Sequence, residues 1–558
     1  MKRAEVLAKI RHAMQRGDLI SARAIADRAF VSYPDDAVIA DTAGDLALKA
    51  GDAVTAELRF RKAARLQPDV LNFALNHAIA LQRLARHREV LASLIPRENA
   101  GRSIARYASL RAASHRATGD LAEAARWYDR VLAIDPHHKR GLHGRARVAL
   151  ERGEADARAR FDTALTNNPN EIDLWLGKAQ AMDAGGEAEA ARNLAEQICS
   201  KAPTYIPGLE FLSGLRLAAG EQDFAAPFVE AAKKAPQDAN IPERHIATLA
   251  GLDYDAQAAE VAAAARHRFP DEPYFVLQQA VHTGTASQWD EAEALFAALP
   301  ANLPGRALFE ARHALRNRDL ERAHVKLDEV LAIQPWNISA WALRGIAWRL
   351  GADPRAQWLH EQDGLVQILP LHGRDDLVND CASELRRLHK ASAMPLGQSL
   401  RGGTQTRGIL FQRTEPVFSE LREAIVQTVS AYRTNLPDID RDHPLLRHRD
   451  APWDLAGSWS VRLTGGGDHH TAHIHPQGII SSALYLVVPE AANGSTQEGW
   501  LEIGRPKQDL GLELPPIETI KPVEGYLALF PSTVYHGTTP FASAERMTVA
   551  FDVVATGD

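Results

Sequence analysis

The sequence predicts a multidomain chain: an all-α solenoid of helix–turn–helix repeats, followed by a β domain that carries a His-x-His…His…Arg constellation. Three observations predict it. Prolines recur at Pro34, Pro68, Pro136, Pro169, Pro203, Pro236, Pro270, Pro304 and Pro335, mostly 33 or 34 residues apart. Gly17, Gly51, Gly119, Gly153, Gly186 and Gly220 run in phase with them, usually followed by Asp or Glu. Beyond residue 370 the period stops, and short apolar or alternating runs bounded by Gly, Pro and Asn replace it.

A period near 34 is that of a helix–turn–helix solenoid. Each unit holds two stretches with apolar residues at helical spacing. The Gly-Asp pair permits a tight turn and caps the second helix, and the proline ends that helix. Residues 119–136, GDLAEAARWYDRVLAIDP, show the pattern best. Ala124 lets a neighbouring helix approach and Tyr128, one turn on, fills the gap. Ala323 and Leu327 repeat this in 319–335. These features resemble the tetratricopeptide repeat family over roughly residues 1–370, in about eleven units. The third unit has Arg86-His87 where the turn glycine belongs, and the eighth and ninth have Asp253-Tyr254-Asp255 and Gln288-Trp289-Asp290. The resemblance implies a concave face that binds a protein or peptide. A spacer or dimerisation arm is the competing use, since a fold does not fix function.

Composition bounds the rest. At 558 residues the chain exceeds one ordinary domain. A net charge of −7 argues against a general nucleic-acid surface. Two distant cysteines, Cys199 and Cys381, build no disulfide framework. The charged N-terminus lacks a signal-peptide core, and no apolar run approaches the roughly 20 residues of a membrane span. The expectation is a cytoplasmic protein with no membrane partner.

Residues 371–394 are expected to connect the two parts, with a helix over 375–391. The stretch 395–408, PLGQSLRGGTQTRG, cannot sustain a helix, and 415–433 reads as an amphipathic helix. Strands are expected at 458–463, 480–488, 499–504, 525–530 and 546–554, which makes 395–558 a sandwich or barrel.

Residues 473–476 read His-Ile-His-Pro. In a strand His473 and His475 point to one face and can address one metal ion, while Ile474 packs the other way. His536 follows a later strand, and ten residues on lies Arg546. Arg546 and Thr548 share one strand face; Met547, Val549 and Phe551 share the other. An inward arginine needs an anion.

This order of His-x-ligand…His…Arg is similar to that of the Fe(II)- and 2-oxoglutarate-dependent oxygenases. Within residues 395–558, the segments QSLRGGTQT, SWSVRL, HIHPQG, ALYL, LFPSTVYHGT and RMTVAFD resemble a bacterial group of such oxygenases that often carry repeats in front. The resemblance implies a double-stranded β-helix (jelly roll) and Fe(II) bound by His473, His475 and His536. It also implies 2-oxoglutarate as cosubstrate, held by Arg546 with Thr548 beside it. Tyr485 is a candidate to reach the cosubstrate, and Gln398, Arg401 and Thr404 are candidates for the substrate channel or a turn. The sequence departs from the family pattern at His475, where most members have Asp or Glu. Asp468-His469-His470 offers another carboxylate and two more imidazoles. His469 and His470 read as loop or core residues, Ser481 and Ser482 as structural, and Trp459, Trp500 and Phe530 as packing. The implied activity is dioxygenase hydroxylation of a protein or peptide. The alternatives are a non-catalytic repeat scaffold with a metal-binding or inactive β domain, or a three-histidine dioxygenase without cosubstrate, which would have no use for Arg546.

Overall fold

A computed structural model describes residues 3–396, 399–493 and 497–556. Among them, eleven helix pairs run from Arg3–Gln15 with Leu19–Ser32 to Ile338–Leu350 with Arg355–His360, with a one-turn helix, Glu98–Gly101, after the third. No helix of the described residues is long and apolar enough to cross a membrane. Contacts divide the chain into two compact units, 1–178 and 179–558.

In the first unit the turn chemistry follows from the Gly-Asp pair. Gly17 adopts φ +76°, open to glycine at no steric cost, and the Asp18 carboxylate then accepts from the Ser21 N–H at 3.0 Å. Asp52 and Asp120 cap their helices the same way. Tyr128 lies against Gly144 of the following helix, where a Cβ would fall 2.1 Å from the ring. Where the glycine is missing the turn keeps its left-handed residue: Ala85 has φ +56°, as do Asp253 and Ser287, later in the chain, with +63° and +67°. The cost, about 1 kcal/mol each, is carried by the packed helices on either side.

The second unit contains the remaining pairs and the β domain. The latter has strands β1 (Gln367–Pro370), β2 (Leu400–Arg401), β3 (Thr404–Gln405), β4 (Trp453–Gly465), β5 (His469–His470), β6 (Ile480–Val487), β7 (Leu501–Ile503), β8 (Glu518–Ile520), β9 (Tyr526–Pro531), β10 (His536–Thr538) and β11 (Ser543–Ala555). They form an antiparallel six-stranded sheet, β1-β9-β6-β11-β4-β3, a three-stranded sheet, β10-β7-β8, and the pair β2-β5. The pairing is nested. β4 pairs with β11, the His473 segment with β10, β6 with β9, and β7 with β8. First-with-last pairing of eight successive segments is the wrapping of a jelly roll.

The two faces of the large sheet differ as period 2 requires. Leu484, Leu527, Met547, Val549 and Phe551 point outward under the helices Leu377–His389 and Pro416–Thr434. Tyr485, Ala528 and Phe530 point inward against Leu501, Ile503 and Ile520 of the small sheet. β1 lies at the sheet edge although it falls at the end of the stretch read as repeats. Its four residues are too few to show an alternation, and Pro370 suits an edge position.

The small sheet rests on the last repeats. Leu510, Tyr535, Ala472 and Ile474 join Ala311, Ala314, Leu315, Leu343 and Ile346 in one apolar cluster. Beside it the Asp509 carboxylate accepts from Arg312 Nη2 and Arg316 Nη2, both at 2.7 Å, and Arg312 Nη1 donates to the Tyr535 hydroxyl at 3.1 Å. Arg349 donates to the Gly504 and Pro515 carbonyls, and Lys507 pairs with Asp253 at 2.8 Å.

Burial pushes the Asp509 carboxyl up, but Arg312 and Arg316 outweigh it and hold it at about 2. Its folded value thus lies below its ordinary one, so its contribution is complete above about pH 4 and fades as the pH falls towards about 2. Asp509→Asn leaves the buried Arg316 and half-buried Arg312 guanidiniums facing a neutral amide. Chemical denaturation at neutral pH is expected to show a loss of about 3–5 kcal/mol, and the gap to wild type narrows below pH 4. An unchanged midpoint at neutral pH contradicts this view of the interface.

Candidate metal centre

His473 and His536 form an isolated antiparallel bridge, each N–H donating to the other's carbonyl at 2.9 Å. That places the two rings side by side, with centroids 4.3 Å apart. His475, two residues on, reaches the same side, 4.9 Å from the His536 ring centroid. The three side chains each offer a nitrogen within 4.8 Å of the others; among the described residues they are the group that could hold a metal ion.

The hydrogen bonds fix which nitrogen is free. His473 Nδ1 lies 2.8 Å from the Thr471 carbonyl, His536 Nδ1 lies 3.3 Å from the Val534 carbonyl, and His475 Nδ1 lies 2.5 Å from Asp552 Oδ1. Carbonyl and carboxylate oxygens only accept, so each Nδ1 carries a proton, which leaves Nε2 as the nitrogen free to bind a metal. The Nε2 atoms of His473 and His475 are 3.1 Å apart. Two ligands about 2.1 Å from one ion at a right angle stand about 3.0 Å apart, so the spacing fits neighbouring positions on an octahedral metal. Burial, and then the neighbouring imidazoles, lower His473 to about 3 and His536 well below its ordinary value. The neutral form a metal requires is therefore the resting form.

Asp552 is the residue that sequence reasoning missed. It shares strand parity with Arg546 and Thr548, and that parity was the available signal for an inward carboxylate. Asp468, by contrast, turns away from the cluster. It accepts from Thr464 N at 2.9 Å and lies over Gly402, where a Cβ would meet its Oδ1 at 1.9 Å. His469 bonds its own loop through the Gly467 carbonyl at 2.8 Å. His470 stands closer to the chemistry than a loop residue: its ring stacks on His473 at 5.7 Å and its Nδ1 meets Ser399 Oγ at 3.2 Å. Phe530 and Trp459 lie 4.7 and 5.5 Å from the His536 and His475 rings, walls of the site rather than core alone.

Arg546 is 2% exposed, and among the described residues no carboxylate pairs with it. Its Nε has no hydrogen-bond partner, and its polar neighbour is the buried Tyr485 hydroxyl. The guanidinium carbon sits 5.4 Å from the Tyr485 ring centroid. Burial lowers the Arg546 pKa and raises the Tyr485 hydroxyl to about 12, so one stays a cation and the other a neutral donor at pH 7. Thr548, 5% exposed, is the cross-strand neighbour of both Val461 and Tyr485. An unpaired cation in a dry site costs several kcal/mol unless an anion joins it.

Of the suggested channel residues, Gln398 lies outside the described residues. Arg401 Nε donates to Asp253 Oδ2 at 3.0 Å, and Thr404 Oγ1 bonds His389 Nδ1 at 2.8 Å on the outer side of β4. Both hold the domain together and neither meets the histidines. Ser481 bonds Ser532 and Ser482 bonds the Phe551 carbonyl, while Trp500 donates to the Ala492 carbonyl.

Residues 457–552 match the family model described as "Putative 2OG-Fe(II) oxygenase". No curated protein matches the chain. Solved structures with some likeness include a tetratricopeptide repeat protein from Parabacteroides merdae (18% identity, 43% of this chain and 96% of that one, TM-score 0.37). The type IV pilus biogenesis factor PilW is a second (19% identity, 38% of this chain and 100% of that one, TM-score 0.35). Such likeness is too low to carry the repeat assignment, which rests on the period and on the helix pairs themselves. The chain is a tetratricopeptide-type helical repeat array followed by a β domain, and residues 457–552 of that domain are similar to the 2OG-Fe(II) oxygenase family so described.

Proposed function

We propose that the C-terminal domain is an Fe(II)- and 2-oxoglutarate-dependent dioxygenase that hydroxylates a protein or peptide brought to it by the repeat array. The observation that carries this reading is the meeting of two unmet demands in one β interior. Three imidazole nitrogens lie within 4.8 Å of one another, and the buried Arg546 has no carboxylate partner among the described residues. His473, His475 and His536 would hold the metal. Arg546 would hold the distal carboxylate of 2-oxoglutarate, with Thr548 and Tyr485 beside it. A dioxygenase without cosubstrate gives Arg546 nothing to do.

When bound, Fe(II) and 2-oxoglutarate supply oxidation by dioxygen, one oxygen atom entering succinate as carbon dioxide leaves and the other entering a substrate C–H bond. The chain's own groups do the positioning. Asp552 fixes the His475 tautomer and lends it basicity through Nδ1–H. Arg546 orients a dicarboxylate along the barrel interior, and Phe530 and Trp459 keep water from the imidazoles. The array's partner-binding face falls to units before helices Arg306–Arg316 and Ile338–Leu350, since Arg312, Arg316 and Arg349 of those helices already hold the β domain.

Anaerobic protein loaded with Fe(II) is expected to develop a weak visible charge-transfer band on addition of 2-oxoglutarate, and to release succinate once oxygen is admitted. His536→Ala abolishes the band. No band and no succinate from wild type would sink the oxygenase reading. Arg546→Met is expected to raise the stability of the unliganded protein by about 1–4 kcal/mol, because it removes an unpaired buried charge. The same variant should lose the rise in melting temperature that 2-oxoglutarate gives wild type. Asp552→Asn should weaken metal binding about 10- to 100-fold in a metal titration, and an affinity equal to wild type refutes its supporting role.

A further inference from the structure

The segment that carries His473 and His475 has little sheet of its own. It touches β10 through the single bridge His473–His536, and Thr471 N donates to the Ser399 carbonyl at 3.0 Å. Two-residue alternation therefore matters more than usual. The residues on the reverse side, Ala472, Ile474 and Tyr535, all enter the apolar cluster built by Ala311, Ala314, Leu315, Leu343 and Ile346 of the last two repeats. Tyr535 is further fixed by its hydroxyl on Arg312, which Asp509 clamps in turn. Its carbonyl accepts from Gly504 N at 2.7 Å, and the Gly504 carbonyl accepts from Arg349.

We propose that the last two repeats form the rear wall of the metal centre, with Ile474 and Tyr535 as the positioning residues through which the array sets the aim of His473, His475 and His536. The inference rests on the assignment of those histidines as ligands. Each ligand has a sequence neighbour locked into the repeat core. A ring on so short a bridge holds its direction only while that neighbour is seated. The array thus serves the chemistry from behind as well as recruiting a partner. The oxygenase domain is not self-sufficient in metal geometry: it borrows one wall from helices Arg306–Arg316 and Ile338–Leu350.

The test uses the full chain and Co(II), whose visible absorption reports coordination geometry. Ile474→Ala is compared with Leu421→Ala, a more deeply buried aliphatic position in helix Pro416–Thr434, on the far side of the large sheet. Ile474→Ala is expected to bind Co(II) at least about 10-fold more weakly, with an altered spectrum. Leu421→Ala, although at least as destabilising, keeps wild-type affinity and spectrum. Ile474→Val restores most of the affinity, and Tyr535→Phe, which loses only the Arg312 hydrogen bond, shifts the spectrum without unfolding. The two conservative variants decide the matter if Ile474→Ala does not fold. Equal affinities and spectra for Ile474→Ala and wild type overturn the proposal, as does an equal loss in Leu421→Ala. Wild-type protein that binds no Co(II) removes the ligand assignment and this inference together; wild-type binding with no effect of Ile474 or Tyr535 removes the inference alone.

Discussion

Three imidazoles whose Nδ1 hydrogen bonds are already committed crowd their remaining nitrogens together, with the Nε2 atoms of His473 and His475 3.1 Å apart. The interior of the β domain is organised around that crowding. Thr471, Val534 and Asp552 take the three protons, which sets the direction of every ring. Charge explains the rest of the site. With three neutral ligands, a divalent ion adds two positive charges and Arg546 a third; Asp552 returns one negative charge and a dicarboxylate two more. In the proposed complex the formal charges cancel within one buried space, which a monoanion or a neutral ligand could not achieve. In the proposed complex a carboxylate, Asp552, stands one hydrogen bond behind His475 rather than on the metal.

Nested strand pairing is what makes such a site possible from residues spread over some eighty positions. β11 alone delivers Arg546, Thr548 and Asp552 to one face, while Met547, Val549 and Phe551 on its other face bury themselves under two helices. The same alternation works on the small sheet, where histidines point in and Ile474 and Tyr535 point back into the repeats. The last repeats and the candidate metal centre are therefore mechanically joined. The Asp509 carboxylate between two arginines, an apolar seam and the Arg349 contacts press the small sheet onto the solenoid.

The repeat array was the most legible part of the sequence because its signal is redundant. Nine prolines, six glycines and the helical periodicity all report the same unit, and turns that lack glycine still form because packing on both sides tolerates a left-handed Ala85 or Ser287. Long strands with one greasy face, such as β6 and β11, were also readable. β1, β8 and β10 were not, since three or four residues show no period. Of the site, His473, His475 and His536 lie together, as an alternating pair and a later histidine allowed, and Arg546 is buried beside Tyr485. Asp552 was hidden by its place in an apolar run, and its role appears only when β11 is laid beside the His475 loop. Arg401 and Thr404 looked like channel residues in a polar, glycine-rich stretch. Their partners, Asp253 and His389, lie 148 and 15 residues away, and no local pattern encodes such pairings.

The central claim is that all three histidines, His475 included, bind the metal while Asp552 stays one bond removed. X-ray absorption of anaerobic Fe(II)-loaded protein, compared with His475→Ala, tests it most directly. The account predicts three imidazole scatterers in the first shell of wild type and two in the variant. Two imidazoles in both proteins, with a carboxylate completing the shell, would contradict it.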